Sequence, residues 1–111
     1  MKNTPAYLLP DQAPTATTLA ALPGLTLLEF GTEWCGHCRA AQAAITQALA
    51  TPTPGQIQHF KIEDGPGRAL GRSYRVKLWP TLILLRDGQE IGRLVRPTAT
   101  QDVAAMLGAA R

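Results

Sequence analysis

The chain has two cysteines, Cys35 and Cys38, which stand three positions apart in the stretch GTEWCGHC. At the start of a helix, residues i and i+3 face the same side with Cβ atoms roughly 5–6 Å apart, and a small adjustment brings them to the ~3.8 Å of a disulfide. The pair can therefore open and close a bond with little backbone movement. This spacing favours reversible redox chemistry, with a structural disulfide or half of a metal site as the alternatives.

The position of the pair at a predicted helix start distinguishes the two thiols. A helix N-terminus offers unpaired amides and partial positive charge, which favour thiolate over thiol. Cys35, nearer that end, is the predicted nucleophile, and Cys38, one turn deeper, is the predicted resolving thiol. A partly protonated His37 would stabilise the Cys35 thiolate, and Trp34 is expected to shield that thiolate and line the substrate surface.

A metal site is the weaker interpretation of the same residues. Zinc needs four ligands, and only His37 and His59 remain to complete a set with the cysteines. His37 lies inside the loop, poorly placed to join both sulfurs on one ion. We therefore expect no metal and no dissociable cofactor beyond the Cys35–Cys38 redox pair, and we interpret His59 as a satisfied or surface histidine.

The elements that must position the dithiol alternate along the chain. We predict a short strand at 6–9 and a short helix at 15–22, followed by an interior strand at 25–31 that leads into the cysteines. The active-site helix then runs from Trp34 until the prolines of 51–55 stop it. The remaining predicted elements are a strand at 57–62, a short helix or turn at 65–74, two strands within 81–95 joined by Asp87-Gly88, and a closing helix.

The closing helix is predicted from a capping-box spacing of Thr98 and Gln101 and from an apolar face. That face carries Val103, Met106, Leu107 and Ala110. The element order predicts an α/β domain, with a mixed sheet and helices on both faces, that occupies 1–111 as a single unit.

Composition excludes several classes of protein. The hydrophobic fraction of 45% is ordinary for a globular chain, and no apolar run approaches the ~18 residues of a membrane span. The net charge of +3 comes from evenly spread arginines with few aromatics between them, so we do not expect nucleic-acid binding. The N-terminal segment shows no signal-peptide core, which predicts a cytoplasmic protein, and we expect a monomer.

Two segments carry a resemblance to a known family. EFGTEWCGHC resembles the active site of the thioredoxin family, in the W-C-G-H-C form of protein disulfide isomerase domains. YRVKLWPTLILLRDGQ is similar to the family's segment through its cis-proline and terminal hairpin, and the resemblance covers essentially the whole chain. It implies the thioredoxin fold and a thiol–disulfide oxidoreductase that acts on protein disulfides and is reduced by an upstream dithiol system.

The resemblance also assigns roles to residues outside the dithiol. Glu29 stands where the family keeps a buried carboxylate beneath the resolving cysteine, and we expect burial to raise its pKa so that it accepts the Cys38 proton. The alternative is a salt bridge with Lys61. Pro80 is expected to follow a cis bond that turns the backbone of Trp79 toward the cysteines, where an extended substrate can pair with it.

The sequence departs from the family's pattern beside this groove. Trp79 takes the place of a smaller residue, and Arg96 stands where a glycine is usual. The expected substrate-contacting residues are Trp34, Gly36, Trp79, Pro80 and Arg96. Two other functions stay open: an exported disulfide isomerase or oxidase, and a binding module that works whatever its redox state.

Overall fold

Helices and strands alternate along the chain, as its hydrophobic periodicity predicts. The computed structural model describes residues 6–50 and 56–110. In these residues the elements are α1 (Ala16–Ala21), β1 (Leu25–Gly31), α2 (Gly36–Ala50), β2 (Ile57–Glu63), α3 (Ala69–Ser73), β3 (Thr81–Arg86), β4 (Gln89–Val95) and α4 (Thr100–Ala109). The predicted helix stop at 51–55 lies outside the described residues.

The four strands form one mixed sheet in the order β2-β1-β3-β4. β1 and β2 are parallel, whereas β3 is antiparallel to both β1 and β4. A parallel pair needs a crossover connection, and α2 supplies it. The predicted mixed sheet is therefore confirmed, with its antiparallel part built by the β3–β4 hairpin.

β1 lies inside the sheet and is buried at every position after Leu25. Because successive side chains of a strand point to opposite faces, Leu27 and Leu28 enter different hydrophobic clusters. The Leu27 cluster includes Ile45 of α2 and Leu107 of α4, and the Leu28 cluster includes Leu19 of α1. Helices thus cover both faces, and the end of β1 delivers the chain to the dithiol.

The hairpin turn has the geometry that Asp87-Gly88 predicts. Asp87 has φ 49° and Gly88 has φ 82°, the two positive values that a two-residue turn of type I′ requires. A Cβ added to Gly88 would lie 2.0 Å from the carbonyl oxygen of Ala20, so the turn also packs closely against the end of α1. Glycine at this position is therefore required by both the backbone angle and the lack of space.

Two local predictions are wrong. The predicted strand at 6–9 is reduced to one bridge between Leu8 and Ile62, because the chain turns directly afterwards at Pro10, which has no amide to extend the pairing. The predicted capping box is out of register, since α4 begins at Thr100 and its N-cap is Ala99, which makes no side-chain cap. Thr100 instead donates to Gln47 Oε1 on α2 at 2.8 Å.

Candidate active site

Cys35 directly precedes α2 and Cys38 lies in its first turn. Both are free thiols, and their exposed fractions are 8% for Cys35 and 1% for Cys38. The backbone amide of Cys38 donates to Cys35 Sγ at 3.3 Å. The helix start therefore aims a donor at the outer sulfur and buries the inner one, which is the arrangement that the spacing predicts.

The two thiols have opposite pKa shifts. Burial acts to raise the pKa of Cys35, but hydrogen bonds from the Cys38 side chain and from the backbone amides of Cys38 and His37, with the charge of Arg96, hold it below its ordinary value. Burial, the hydrogen bond with Cys35 and the Cys35 charge raise the pKa of Cys38 to about 11. Near neutral pH a larger fraction of Cys35 than of Cys38 is therefore thiolate.

Glu29 lies in β1 below the dithiol and is fully buried. Its Oε2 accepts from Gln42 Nε2 at 2.8 Å and from the Tyr7 hydroxyl at 3.1 Å, and its Oε1 lies 2.9 Å from His59 Nε2. Lys61 is directed elsewhere: its ammonium donates to Gln42 Oε1 at 3.1 Å. The Glu29 carboxylate is thus held mainly by neutral donors and a histidine, rather than by the salt bridge with Lys61 that was the alternative.

The prediction that burial raises the pKa of Glu29 is wrong. Burial does act in that direction, but hydrogen bonds from His59 and Gln42 and the charges of His59 and Lys61 outweigh it, so the pKa of Glu29 is lowered. Glu29 therefore holds a proton only weakly and is a carboxylate at neutral pH.

Three residues of this network were not predicted as site residues. His59, interpreted as satisfied or surface, is buried and satisfied by Glu29. Its position two residues before Lys61 in β2 places both on one strand face, a signal that the sequence carried. Gln42 stands four residues after Cys38 and donates to its carbonyl at 2.9 Å, which helical spacing also could have indicated. Tyr7 comes from the N-terminal segment, and no local pattern links it to the dithiol.

Gly31, the last residue of β1, leaves the space in which these groups meet. A Cβ built at this position would lie 2.5 Å from Cys38 Sγ and 3.1 Å from the Tyr7 hydroxyl oxygen. Any side chain would therefore displace the Cys38 sulfur, the Tyr7 ring or both. A missing side chain gives no chemical signal in a sequence, so Gly31 could not be recognised as part of the site.

Two indoles meet at the surface of the site. The ring centroids of Trp34 and Trp79 are 5.8 Å apart in an edge-to-face arrangement, and Trp34 is 73% exposed. Trp79 Nε1 donates to Asp64 Oδ2 at 2.8 Å. Asp64 was not predicted, and it reaches the indole over Gly71, where a Cβ would overlap its carboxylate. The hydrogen bond therefore fixes the orientation of the Trp79 indole, whereas most of the Trp34 indole is exposed to solvent.

The Trp79–Pro80 bond is cis, in agreement with the expectation from the resemblance. The backbone of Trp79 is not free, however, because Arg96 Nε donates to its carbonyl oxygen at 2.9 Å. Arg96 itself has φ 53°, a conformation that glycine adopts without strain. The departure from glycine at this position thus brings a guanidinium onto the groove, close enough for its charge to lower the pKa of Cys35.

Gly36 and His37 occupy the exposed first turn of α2. A Cβ added to Gly36 would contact nothing within 4 Å, so this position lies open beside the dithiol. His37 contributes to the low pKa of Cys35 through its backbone amide. In the described parts of the chain, no three histidine, cysteine or acidic side chains are grouped to hold a metal ion, and no helix is long and apolar enough to cross a membrane.

Comparison with known proteins identifies the family. A sequence model described as thioredoxin matches residues 15–109. The chain belongs to the thioredoxin family. Members of the thioredoxin family are thiol–disulfide oxidoreductases that work with a redox-active dithiol, and this chain is such an oxidoreductase, with its C-x-x-C pair at Cys35 and Cys38.

Individual thioredoxin relatives differ in how much of their length the chain covers. Thioredoxin from Chlamydia caviae is 38% identical over 72 residues, which are 65% of this chain and 69% of that protein. Protein disulfide-isomerase A3 from Gallus gallus is 35% identical over 89 residues, 80% of this chain but only 17% of the isomerase. The reduced structure of thioredoxin 2 from Pseudomonas aeruginosa PAO1 matches with a TM-score of 0.77 and 42% identity, over 99% of this chain and 94% of that one.

Proposed function

We propose that the chain reduces or exchanges protein disulfides, with Cys35 as the attacking thiolate and Cys38 as the resolving thiol. The observation that carries this assignment is the opposite shift of the two pKa values, lowered at Cys35 and raised to about 11 at Cys38. Cys35 is then ready to attack near neutral pH. Cys38 keeps its proton until a mixed disulfide has formed beside it.

The proposed reaction has two exchange steps. The Cys35 thiolate attacks one sulfur of the substrate disulfide and expels the other as a thiolate, which leaves a mixed disulfide on Cys35. Cys38 then loses its proton and attacks the Cys35 sulfur, and the second substrate thiolate leaves. Two electrons pass from the protein dithiol to the substrate, and the chain ends with a Cys35–Cys38 disulfide that an upstream dithiol reductant reduces again.

We propose that the surface around Cys35 selects the substrate. The exposed Trp34 indole and the fixed Trp79 indole give it an apolar character, and Gly36 leaves the approach to the sulfur open. Next to the cis bond at Pro80, Arg96 adds a cation at the carbonyl with which a substrate strand would pair. An extended apolar segment with an acidic neighbour fits this surface best.

The direction of exchange depends on the reduction potential, and two candidates follow. About −270 mV is typical of thioredoxin and about −180 mV of the isomerase, and W-C-G-H-C is expected to place this chain toward the less reducing end. We propose a monomeric reductase of the cytoplasm, where such a pair is mostly reduced. The similarity to protein disulfide-isomerase A3 favours an exported isomerase or oxidase as the second candidate. Equilibration with glutathione and localisation of the native gene product discriminate them.

Trapping with a model protein disulfide tests the cysteine roles. Cys38→Ser should accumulate a mixed disulfide with insulin on Cys35, because the resolving thiol is gone. Cys35→Ser should accumulate little, since the remaining thiol is buried and has a high pKa. Non-reducing gels and mass spectrometry measure the adduct. Accumulation on Cys38 instead would exchange the two roles, and none in either variant would contradict the proposed function.

A further inference from the structure

The Tyr7 hydroxyl lies between the buried resolving thiol and the buried carboxylate. On one side it donates to Glu29 Oε2 at 3.1 Å. On the other side it interacts with the Cys38 thiol. A Cβ built at Gly31 would lie 3.1 Å from the Tyr7 oxygen and 2.5 Å from Cys38 Sγ, so both atoms occupy the space beside this glycine. The space that a side chain at position 31 would fill is therefore used to bring a hydroxyl and a thiol together.

Tyr7 is suited to connect these two groups because it reaches both. Its hydroxyl interacts with the Cys38 side chain and acts to lower the pKa of that thiol. Gln42, by contrast, donates to Glu29 and to the backbone carbonyl of Cys38. Oε1 of Glu29 is taken by His59 on the far side. The carboxylate thus faces the thiol through the tyrosine.

The Tyr7 hydroxyl keeps its proton at working pH. Burial, followed by the negative charges of Glu29 and Cys38, raises the pKa of Tyr7 far above its ordinary value. A neutral hydroxyl is both a donor and an acceptor, so it can take a proton from one neighbour while it gives its own to the other. The Lys61 ammonium, 4.5 Å from the ring centroid, holds the ring in place from outside.

We propose that Tyr7 is a proton-relay residue that transfers the Cys38 proton to Glu29 during the resolving step. This inference rests on the proposed role of Cys38 as the resolving thiol. It adds to the reaction a residue from the N-terminal segment, 24 positions before Gly31 and outside the C-x-x-C loop.

The relay moves two protons in one step. The Cys38 thiol proton passes to the Tyr7 oxygen while the Tyr7 proton passes to Glu29 Oε2, and the Cys38 sulfur attacks the Cys35 sulfur of the mixed disulfide. The bond between Cys35 and the substrate breaks, and the substrate leaves as a thiolate. Because Glu29 holds protons weakly, the transfer is unfavourable alone and must accompany the formation of the Cys35–Cys38 bond, which consumes the thiolate.

The proton has a route out of the network. A cavity of about 140 Å³ opens beside Tyr7 and Cys38 and is bordered by Lys61 and by the side chains of Glu33 and Arg39. Water in this cavity can take the proton from the relay after each turnover. The titratable groups around Cys38 are therefore Cys35 and Tyr7, which interact with it directly, Glu29 and its partner His59 beyond the tyrosine, and Lys61, Glu33 and Arg39, which line the cavity.

Stoichiometric oxidation with dithionitrobenzoate separates the two steps in one experiment. Attack by Cys35 releases one coloured thiolate, and attack by Cys38 on the resulting mixed disulfide releases a second. In Tyr7→Phe, which keeps the ring, we expect the first release to be unchanged and the second to be slower by about a hundredfold near neutral pH. The gap should close as pH rises, because hydroxide then removes the Cys38 proton directly; this happens below about 11, the Cys38 pKa in the reduced protein, since the mixed disulfide no longer carries the Cys35 charge that helps to raise it.

The matched control is Tyr74→Phe, which removes the hydroxyl of the chain's other tyrosine. The Tyr74 ring lies on the opposite face of the sheet, with its centroid 5.9 Å from that of Phe30. This variant should leave both releases as in the parent. A second release in Tyr7→Phe as fast as in the parent would overturn the relay. Equal slowing of both releases would also overturn it, because a general disturbance of the loop would then explain the effect.

A double variant tests whether Tyr7 and Glu29 act on one path. If they do, Tyr7→Phe/Glu29→Gln resolves no more slowly than the slower single variant, whereas independent effects would multiply and contradict the relay. The proposed cysteine roles are tested independently of Tyr7. Cys38→Ser must give a single release, and two releases from that variant would refute the cysteine roles.

Discussion

At the residue scale, Cys35 and Cys38 differ because hydrogen bonds at the helix start lower the pKa of Cys35, whereas burial raises the pKa of Cys38. The sequence was sufficient to predict this asymmetry, since it depends on a helix terminus and a three-residue spacing. It was not sufficient for the pKa of Glu29, which depends on the number of donors around a buried carboxylate. Those donors come from Gln42 and His59, 13 and 30 positions away.

His37 provides a residue-scale prediction, because its imidazole and its amide can be removed separately. His37→Ala removes only the imidazole, whereas His37→Pro also removes the amide that stabilises the Cys35 thiolate, at a first-turn position where proline is tolerated. We expect the pKa of Cys35 to rise in the order parent, alanine, proline. Each variant should also become more reducing by a few tens of millivolts at most per interaction lost.

Alkylation rates against pH measure the Cys35 pKa, and equilibration with glutathione measures the potential. Comparing the parent with the alanine variant between about pH 6 and pH 8 isolates the contribution of the imidazole, because the alanine variant keeps the backbone amide. The additional shift in the proline variant should be independent of pH in this range. If the alanine and proline variants coincide, the His37 amide has no part in tuning Cys35.

At the element scale, the strands and helices with strong periodicity agree with the sequence, whereas the strand predicted at 6–9 and the capping box predicted for α4 do not. β1 and α2 are long apolar patterns whose burial is decided by their own residues. The bridge at Leu8 and the start of α4 depend instead on contacts with neighbouring elements, such as the hydrogen bond that Thr100 donates to Gln47. Sequence spacing alone could not reveal those partners.

The β3–β4 hairpin offers a test of how glycine contributes to an element. Gly67 and Gly88 have nearly the same φ, 79° and 82°, but only Gly88 faces a close neighbour, the backbone of Ala20. Gly67→Ala should lower the free energy of unfolding by about 1 kcal/mol, the cost of the left-handed backbone. Gly88→Ala should lower it by about 3 kcal/mol or more, because the hairpin must also move away from α1.

Urea unfolding of the two variants and the parent measures these differences directly. The Gly67 variant is the control, since it carries the same backbone strain without the contact. Equal destabilisation by both substitutions would mean that the hairpin and α1 separate at little cost, and that their close packing contributes little to stability.

At the scale of the whole molecule, the family, the sheet and the helices on both faces were predictable, whereas the polar network through the core was not. Hydrophobic patterning specifies which side chains are inside. It does not specify which buried polar groups meet, since those pairs join Tyr7, Glu29 and His59 from three separate segments. The N-terminal segment therefore had no predicted role in the site, although it supplies the tyrosine.

This network predicts how the stability of the protein depends on pH. The pKa of Glu29 is lowered in the folded state, so its ionised form contributes stability above the pKa of the unfolded chain, about 4.3, and that contribution is lost as pH falls through the folded value. Glu29→Gln should therefore lower the free energy of unfolding by about 1–3 kcal/mol at pH 7. The difference from the parent should shrink below about pH 4.

Urea unfolding at about pH 7 and pH 3.5 gives the two differences. Carboxylates outside the network titrate alike in both proteins, so the comparison isolates Glu29 and its partners. A difference that stays constant between the two pH values would show that the shape of the glutamate, rather than its charge, stabilises the fold.

The edge-to-face pair of Trp34 and Trp79 has an optical consequence. These are the chain's two tryptophans, so all of its indole fluorescence arises at the surface that we propose as the substrate-contacting one. Trp34 directly precedes Cys35 in the chain, so the sulfur of Cys35 can quench its emission to a degree that depends on the redox state. Binding of a partner and formation of the Cys35–Cys38 disulfide should therefore both change the tryptophan fluorescence of the unlabelled protein.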